Sequence, residues 1–172
     1  NEAVKYTHER GKRLFLTLNT MPHGNEYAAL RDFLREIKDF GIDAYIVADL
    51  GVMATLREII PCAEIHVSTQ ASIVSPEAAM AYVAMGAKRL VLARELDLEE
   101  IKAIRLSIPQ DVELEAFIHG SMCVSFSGRC LLSNALVGGD AKRGACAQPC
   151  RWNYTIREEK RPDMPFPIEE YK

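Results

Sequence analysis

The sequence has no run approaching the eighteen apolar residues of a membrane span, and its opening, NEAVKYTHERGKR, lacks the order and cleavage site of a signal peptide. A soluble, cytoplasmic protein with no membrane partner is expected. Excess charge of one sign is also lacking: 21 Lys and Arg against 24 Asp and Glu leave a net charge of −3. With no global field for a polyanion, any nucleic-acid contact must come from a local basic patch. Three catalytic signatures are absent as well. No strand-like run leads into a glycine-rich dinucleotide loop, and there is neither a Gly-x-Ser-x-Gly elbow nor a His-Glu-x2-His zinc helix.

What is present is 172 residues with an ordinary globular balance, 48% hydrophobic against 26% charged, enough for one sizeable domain. Apolar runs suited to buried parallel strands recur at Leu14 to Leu18, Ala44 to Ala48, Ile65 to Val67, Arg89 to Ala93 and Leu114 to Ile118. Amphipathic segments lie between them: Glu26 to Phe40, Gly51 to Ile60, Pro76 to Met85 and Leu98 to Ile108. Each ends at a glycine or proline, and Ser75 and Asp97 have the chemistry of helix N-caps.

Strand starts fall roughly 20 to 31 residues apart, the length of one β/α unit, which predicts an α/β fold with a parallel sheet. The expected architecture is a partial (β/α) barrel of the TIM type. A complete barrel takes about 250 residues, so about five of eight strands are expected here, followed by a Cys-rich loop. The chain opens in a helix, Glu2 to Glu9, with no strand before it. The division is residues 1–122 for the partial barrel and 123–172 for the Cys-rich active-site segment and the start of a C-terminal extension. Open strand edges would favour a homo-oligomer or strand exchange. The competing architecture is an open doubly wound sheet. Polar residues at every strand's C-terminal end disfavour it: Asn19, Asp49, Ser68 with Gln70, Arg94 with Glu95, and His119. That rim carries the active site in barrels.

After the fifth strand comes HGSMCVSFSGRCLLSNALVGGDAKRGACAQPCRWNY, rich in glycine and cysteine. Its thiols are spaced Cys123-x6-Cys130-x15-Cys146-x3-Cys150, four within 28 positions. In a reducing compartment such clusters bind metal more often than they form disulfides. Structural zinc prefers two short Cys-x2-4-Cys knuckles, and only Cys146 to Cys150 has that form. An iron–sulfur cluster takes four thiolates at wider spacing. Iron–sulfur, zinc and unmetallated thiols all remain open on spacing. Cys62 stands apart and reads as a small, partly buried apolar residue.

The stretch Glu115-x-Phe117-x2-Gly120-Ser121-Met122-Cys123-x4-Gly128-x-Cys130-x-Leu132-Ser133 resembles the signature of the collagenase-like peptidase family. The likeness continues through Arg143 to Trp152, and upstream through Ser68-Thr69-Gln70 and Leu92 to Leu96, covering nearly the whole chain. The resemblance implies a barrel-type catalytic domain carrying a [4Fe–4S] cluster and acting in oxygen-independent hydroxylation. Its tail is most similar to the tRNA branch, which implies tRNA as partner, 5-hydroxyuridine formation at the wobble position, and prephenate as the oxygen-donating co-substrate. Cys123, Cys130 and Cys146 match family cluster cysteines; the fourth ligand is Cys150 or a cysteine outside this chain.

Two alternatives stand beside that expectation. One is a peptidase acting on collagen-like protein, which needs a thiolate activated by an oriented histidine. His119 lies near Cys123, whereas His66 sits inside a strand and reads as a core or interior-facing histidine. The other is a zinc-stabilised binding module. The candidate catalytic residues are Glu115, His119, Arg94 and Glu95. Glu95 and Glu115 are carboxylates near the rim, and Glu115 is expected to point into the barrel with Arg94 as one partner. Asn19, Gln70, Arg129, Arg151 and Trp152 are candidate substrate-binding residues, the arginines for phosphate or carboxylate and Trp152 for base stacking.

Overall fold

The computed structural model describes residues 1–168. After helix α1 (Glu2–His8), strand and helix alternate: β1 (Phe15–Leu18), α2 (Tyr27–Ile37), β2 (Ala44–Val47), α3 (Leu50–Ile59), β3 (Ile65–Val67), α4 (Pro76–Ala84), β4 (Ala87–Val91), α5 (Leu98–Ser107) and β5 (Glu113–Glu115). The five strands form one parallel sheet in the order β1-β2-β3-β4-β5, so every strand pairs with its sequence neighbour. No reversal of strand order occurs among them, and such a reversal is what a doubly wound sheet places at its ligand crevice.

Local chemistry sets the helix ends. The Asp49 carboxylate accepts the Val52 N–H at 3.0 Å, Ser75 caps α4 ahead of Pro76, and Asp97 and Glu100 form a reciprocal capping box on α5. Asp49 also accepts the Tyr27 hydroxyl at 2.7 Å, and burial with that bond pushes the phenol up to about 12. Asp49 is thus a structural cap.

Alternation along the strands separates the two faces of the sheet. Tyr45, Val47 and Ile65 pack with Leu34 and Ile37 of α2 and with Val52, Met53 and Leu56 of α3. Val67, Leu90 and Leu92 pack with Ala79 of α4 and Ile104 of α5. The apolar core therefore lies between the sheet and its helices. Phe15, His66, Arg89, Glu113 and Glu115 form a second, mostly polar cluster on the sheet. His66 is 1% exposed, contacts the Phe15 ring edge-on with centroids 4.8 Å apart, and meets the Glu64 carboxylate at 2.9 Å. The expectation of a core histidine holds. Arg89 pairs with Glu113 and, at 3.3 Å, with Glu115.

Differences from the sequence reading are local. β4 begins two residues earlier than expected, and β5 stops at Glu115 rather than Ile118, which is 96% exposed. Cys62, read as partly buried, is exposed. The cysteine segment holds a short helix α6 (Leu132–Val137), closed by Gly138 in the left-handed region. The charged stretch Glu158 to Arg161, read as a loop, is the turn of an antiparallel hairpin of β6 (Tyr154–Glu158) and β7 (Arg161–Ile168). Among the described residues no helix is long and apolar enough to cross a membrane.

Candidate functional site

The segments following β3, β4 and β5 meet the cysteine segment around one cavity of about 440 Å³. Thr69 and Gln70 come from the turn after β3, Arg94 follows β4, and Phe117 and His119 follow β5. The cysteine segment supplies all four predicted thiols, Cys123, Cys130, Cys146 and Cys150, with Met122, Ser125, Phe126, Gly128 and Lys142. Among the described residues no carboxylate lines this cavity.

Ser127, fully buried, locks the segment onto the strand ends. Its N–H donates to Glu95 Oε1 at 2.8 Å, its carbonyl accepts the Ser72 hydroxyl, and its own hydroxyl accepts the Arg94 N–H and Nε–H at 3.3 and 3.2 Å. The Arg94 guanidinium also donates to the carbonyls of Cys123 and Ser125, the latter at 3.0 Å. Its planar fork is thus occupied by main chain, and it fixes where Cys123 sits. Burial acts to raise the Glu95 carboxyl. The N–H groups of Ser127 and of Glu95 itself, with the Ser127 hydroxyl and the Arg94 charge, outweigh it and hold the group below the usual carboxylate range.

The thiols have polar surroundings. Leu132 N–H points to Cys130 Sγ and Gln148 N–H to Cys146 Sγ, each at 3.4 Å and each from two residues onward. The Ser125 hydroxyl, then the Leu132 and Ser133 N–H groups and the Lys142 charge, hold the Cys130 thiol below its ordinary value. Thiolate is the ligating form, so this arrangement favours metal capture. Lys142 is itself lowered by burial and by Arg129, with Cys130 and Asp140 acting in the opposite sense. Among the described residues no three His, Cys, Asp or Glu side chains converge on one ion-sized point. All four cysteines line the cavity instead.

Of the residues singled out from sequence, the four cysteines, Arg94, His119 and Gln70 line the cavity, and Glu95 stands behind it. Glu115 does not reach the lining. Its partner is Arg89 rather than Arg94, because Arg89 lies in the adjacent strand, where it is in register with Glu113, two residues before Glu115, whereas Arg94 lies past the strand end. Arg129 turns its Nε to the Ser72 hydroxyl at 3.2 Å, and Arg151 donates to Ser121 Oγ and the Met122 carbonyl, both at 3.3 Å. Asn19 and the half-exposed Trp152 lie off the lining. The sequence reading missed Ser127, Phe126 and Lys142. No sequence signal marks Lys142, whereas the pairing of Ser127 with the conspicuous Gly128 offered one.

The sequence pattern of peptidase family U32 matches residues 1–171. The chain belongs to that family. It is 38% identical over 99% of its length to tRNA hydroxylation protein P of Escherichia coli, of which it covers 37%. It is 40% identical over 92% of its length to the 23S rRNA 5-hydroxycytidine C2501 synthase of the same organism, of which it covers 24%. A third family relative, the collagenase of Porphyromonas gingivalis, is 34% identical over 88% of the chain and covered to 38%. The chain therefore spans between 24% and 38% of the length of these relatives. The solved structure of the U32 peptidase Mk0906 superposes with a TM-score of 0.57 at 23% identity, over 67% of this chain and 49% of that one, and so shares the fold.

Proposed function

We propose that this chain forms the cluster-bearing face of an oxygen-independent RNA hydroxylation enzyme, with Cys123, Cys130, Cys146 and Cys150 holding a [4Fe–4S] cluster. The observation that carries this reading is the gathering of all four thiols around one cavity at the strand ends. Thiols that share one cavity without converging on one point suit a group with several metal atoms, each taking one thiolate, better than a single zinc ion whose ligands share one centre. The N–H groups aimed at Cys130 and Cys146 are the kind of contact that tunes such a site. When bound, the cluster supplies one-electron redox chemistry.

The protein's own residues do the rest. Arg94 and Ser127 hold the Cys123 segment, Phe117 and Phe126 supply apolar wall to the cavity, and His119 moves the proton at the substrate. The substrate is the wobble uridine of tRNA, converted to 5-hydroxyuridine with prephenate as oxygen donor. Two relatives named for tRNA and rRNA hydroxylation support the RNA class. We take the sheet to be part of a (β/α) barrel: its strands follow sequence order, its core packs the helices against the sheet, and the polar cluster around His66 then falls inside.

A peptidase reading has one observation in its favour, the presence of His119 and Cys123 on one cavity. No side-chain hydrogen bond orients His119 among the described residues, so the triad logic lacks its third member. The test is anaerobic purification of the intact protein with nucleoside analysis of bulk tRNA. Brown protein with about four irons and matching sulfide, and loss of the hydroxylated nucleoside on Cys130→Ala, are expected. Colourless protein carrying one zinc, metal-independent gelatin cleavage, or unchanged modification in Cys130→Ala would each overturn the proposal.

A further inference from the structure

Within the cavity the cations are not equivalent. Arg94 lines it but its fork is occupied by the Cys123 and Ser125 carbonyls and the Ser127 hydroxyl. Lys142 also lines it, and its Nζ makes no hydrogen bond or ion pair among the described residues. Its backbone is held at both ends. The Lys142 N–H donates to Asp140 Oδ1 at 3.0 Å, and its carbonyl accepts the Met21 N–H at 3.1 Å, tying the cysteine segment to the chain after β1. The stem is therefore aimed by a fixed turn, while the ammonium has no committed partner.

The other unassigned feature of the same cavity is aromatic. Phe117, after β5, and Phe126, between Cys123 and Cys130, both line it, and each is about half exposed, at 51% and 47%. Side chains of this size left open on a cavity wall have apolar faces available to a ligand. An ammonium unpaired among the described residues together with aromatic faces, in a cavity that no described carboxylate lines, matches the two halves of one nucleotide. Bases of single-stranded RNA stack on aromatic rings while cations take the backbone phosphates.

We infer that this cavity receives a single unstacked nucleotide of an RNA strand, its base against Phe117 and Phe126 and its phosphate on Lys142 Nζ. This rests on the RNA-modifying reading and names the residues that would deliver the substrate. It also moves base stacking away from Trp152, which lies off the lining. Contact with phosphate makes Lys142 a binding residue; Asp140, which caps its turn, acts only through it.

The test is binding rather than turnover, with a short labelled single-stranded oligoribonucleotide titrated into the intact holoprotein over a series of salt concentrations. Lys142→Ala should weaken binding and lower the slope of log affinity against log salt by about 0.7, one phosphate contact on a single strand. Lys142→Arg should restore both. Phe126→Ala should weaken binding roughly five- to a hundredfold, the range for loss of one stacked base, and leave the salt slope unchanged.

If the wild-type protein binds the oligoribonucleotide and Lys142→Ala binds with the same affinity and slope, the nucleotide subsite is wrong while the RNA reading stands. A Lys142→Ala protein with unaltered RNA binding but a shifted cluster reduction potential would likewise overturn it, assigning the lysine to charge balance of the cluster. Absence of any binding by the wild type, with iron content intact, would instead remove the RNA reading beneath it.

Discussion

Gly128 lies directly against the backbone of Gln70: a Cβ at Gly128 would sit 1.9 Å from the Gln70 carbonyl oxygen, and Gly128 has a φ of +66°. Two independent constraints therefore meet at one residue, because the left-handed conformation and the absent side chain are both required for the cysteine segment to close on the end of β3. Gly128→Ala should cost about 1–3 kcal/mol from conformation alone, with the contact against a main-chain atom adding to it. Chemical denaturation gives the loss, and metal content of the same preparation should fall with it. Wild-type stability and metal content in Gly128→Ala would show that the segment does not need this close approach.

The metal-binding set is tested by counting. Single alanine substitutions at Cys123, Cys130, Cys146 and Cys150 should each lower iron and sulfide content after anaerobic reconstitution, whereas Cys62→Ala, exposed and remote from the cavity, should match the wild type. Cys150 is the decisive member. Full iron in Cys150→Ala, with losses in the other three, would place the fourth ligand elsewhere.

Glu95 gives a pH signature. Its carboxyl is held below the usual range in the folded protein, burial notwithstanding, by the Ser127 and Glu95 N–H groups, the Ser127 hydroxyl and Arg94. A depressed folded value means the carboxylate stabilises the fold above its unfolded pKa, about 4.3, and that this contribution is lost as pH falls through the lower folded value. Wild type should therefore melt above Glu95→Gln at neutral pH, and the gap should close on acidification below that range. A gap independent of pH would assign Glu95 to packing alone.

Much of this arrangement was legible because it is written in local patterns. Alternating apolar runs, Asp97 ahead of α5 and the glycines after α2 and α4 report on their own neighbourhoods, and the β/α order follows from them. Four closely spaced cysteines likewise announced a shared site. What escaped depends on contacts between distant positions. The Lys142 side chain enters the cavity because its turn is tied to Met21, and Glu115 meets Arg89 because of the pairing register of β4 with β5. The end of β5 was overestimated because Phe117 and Ile118 look like strand residues. Their hydrophobicity serves a cavity wall in the first case and a 96% exposed surface position in the second.

His66 offers a test of the second face of the sheet. It is 1% exposed, its Nε2 meets Glu64 at 2.9 Å, and its Nδ1 has no partner among the described residues. Burial, the largest influence, holds the imidazole below its ordinary value, aided by the charges of Arg89 and Arg13 and opposed by Glu64. The folded protein thus keeps His66 neutral where the unfolded chain, with a pKa of about 6.5, takes up a proton. Stability is then full above that value and declines as pH falls below it, because the unfolded state binds more protons; the decline ends at the lower folded value. His66→Leu removes this linkage, and Glu64 retains Arg13 as a partner at 2.5 Å. Unfolding free energies measured by urea between neutral pH and pH of about 5 should therefore fall more steeply for wild type than for His66→Leu, by no more than about 1.4 kcal/mol per pH unit. Parallel profiles would mean that His66 takes up its proton alike in the folded and unfolded states, so that burial does not depress it, and a wild-type profile that rises relative to His66→Leu on acidification would mean that His66 is protonated in the fold opposite Glu64.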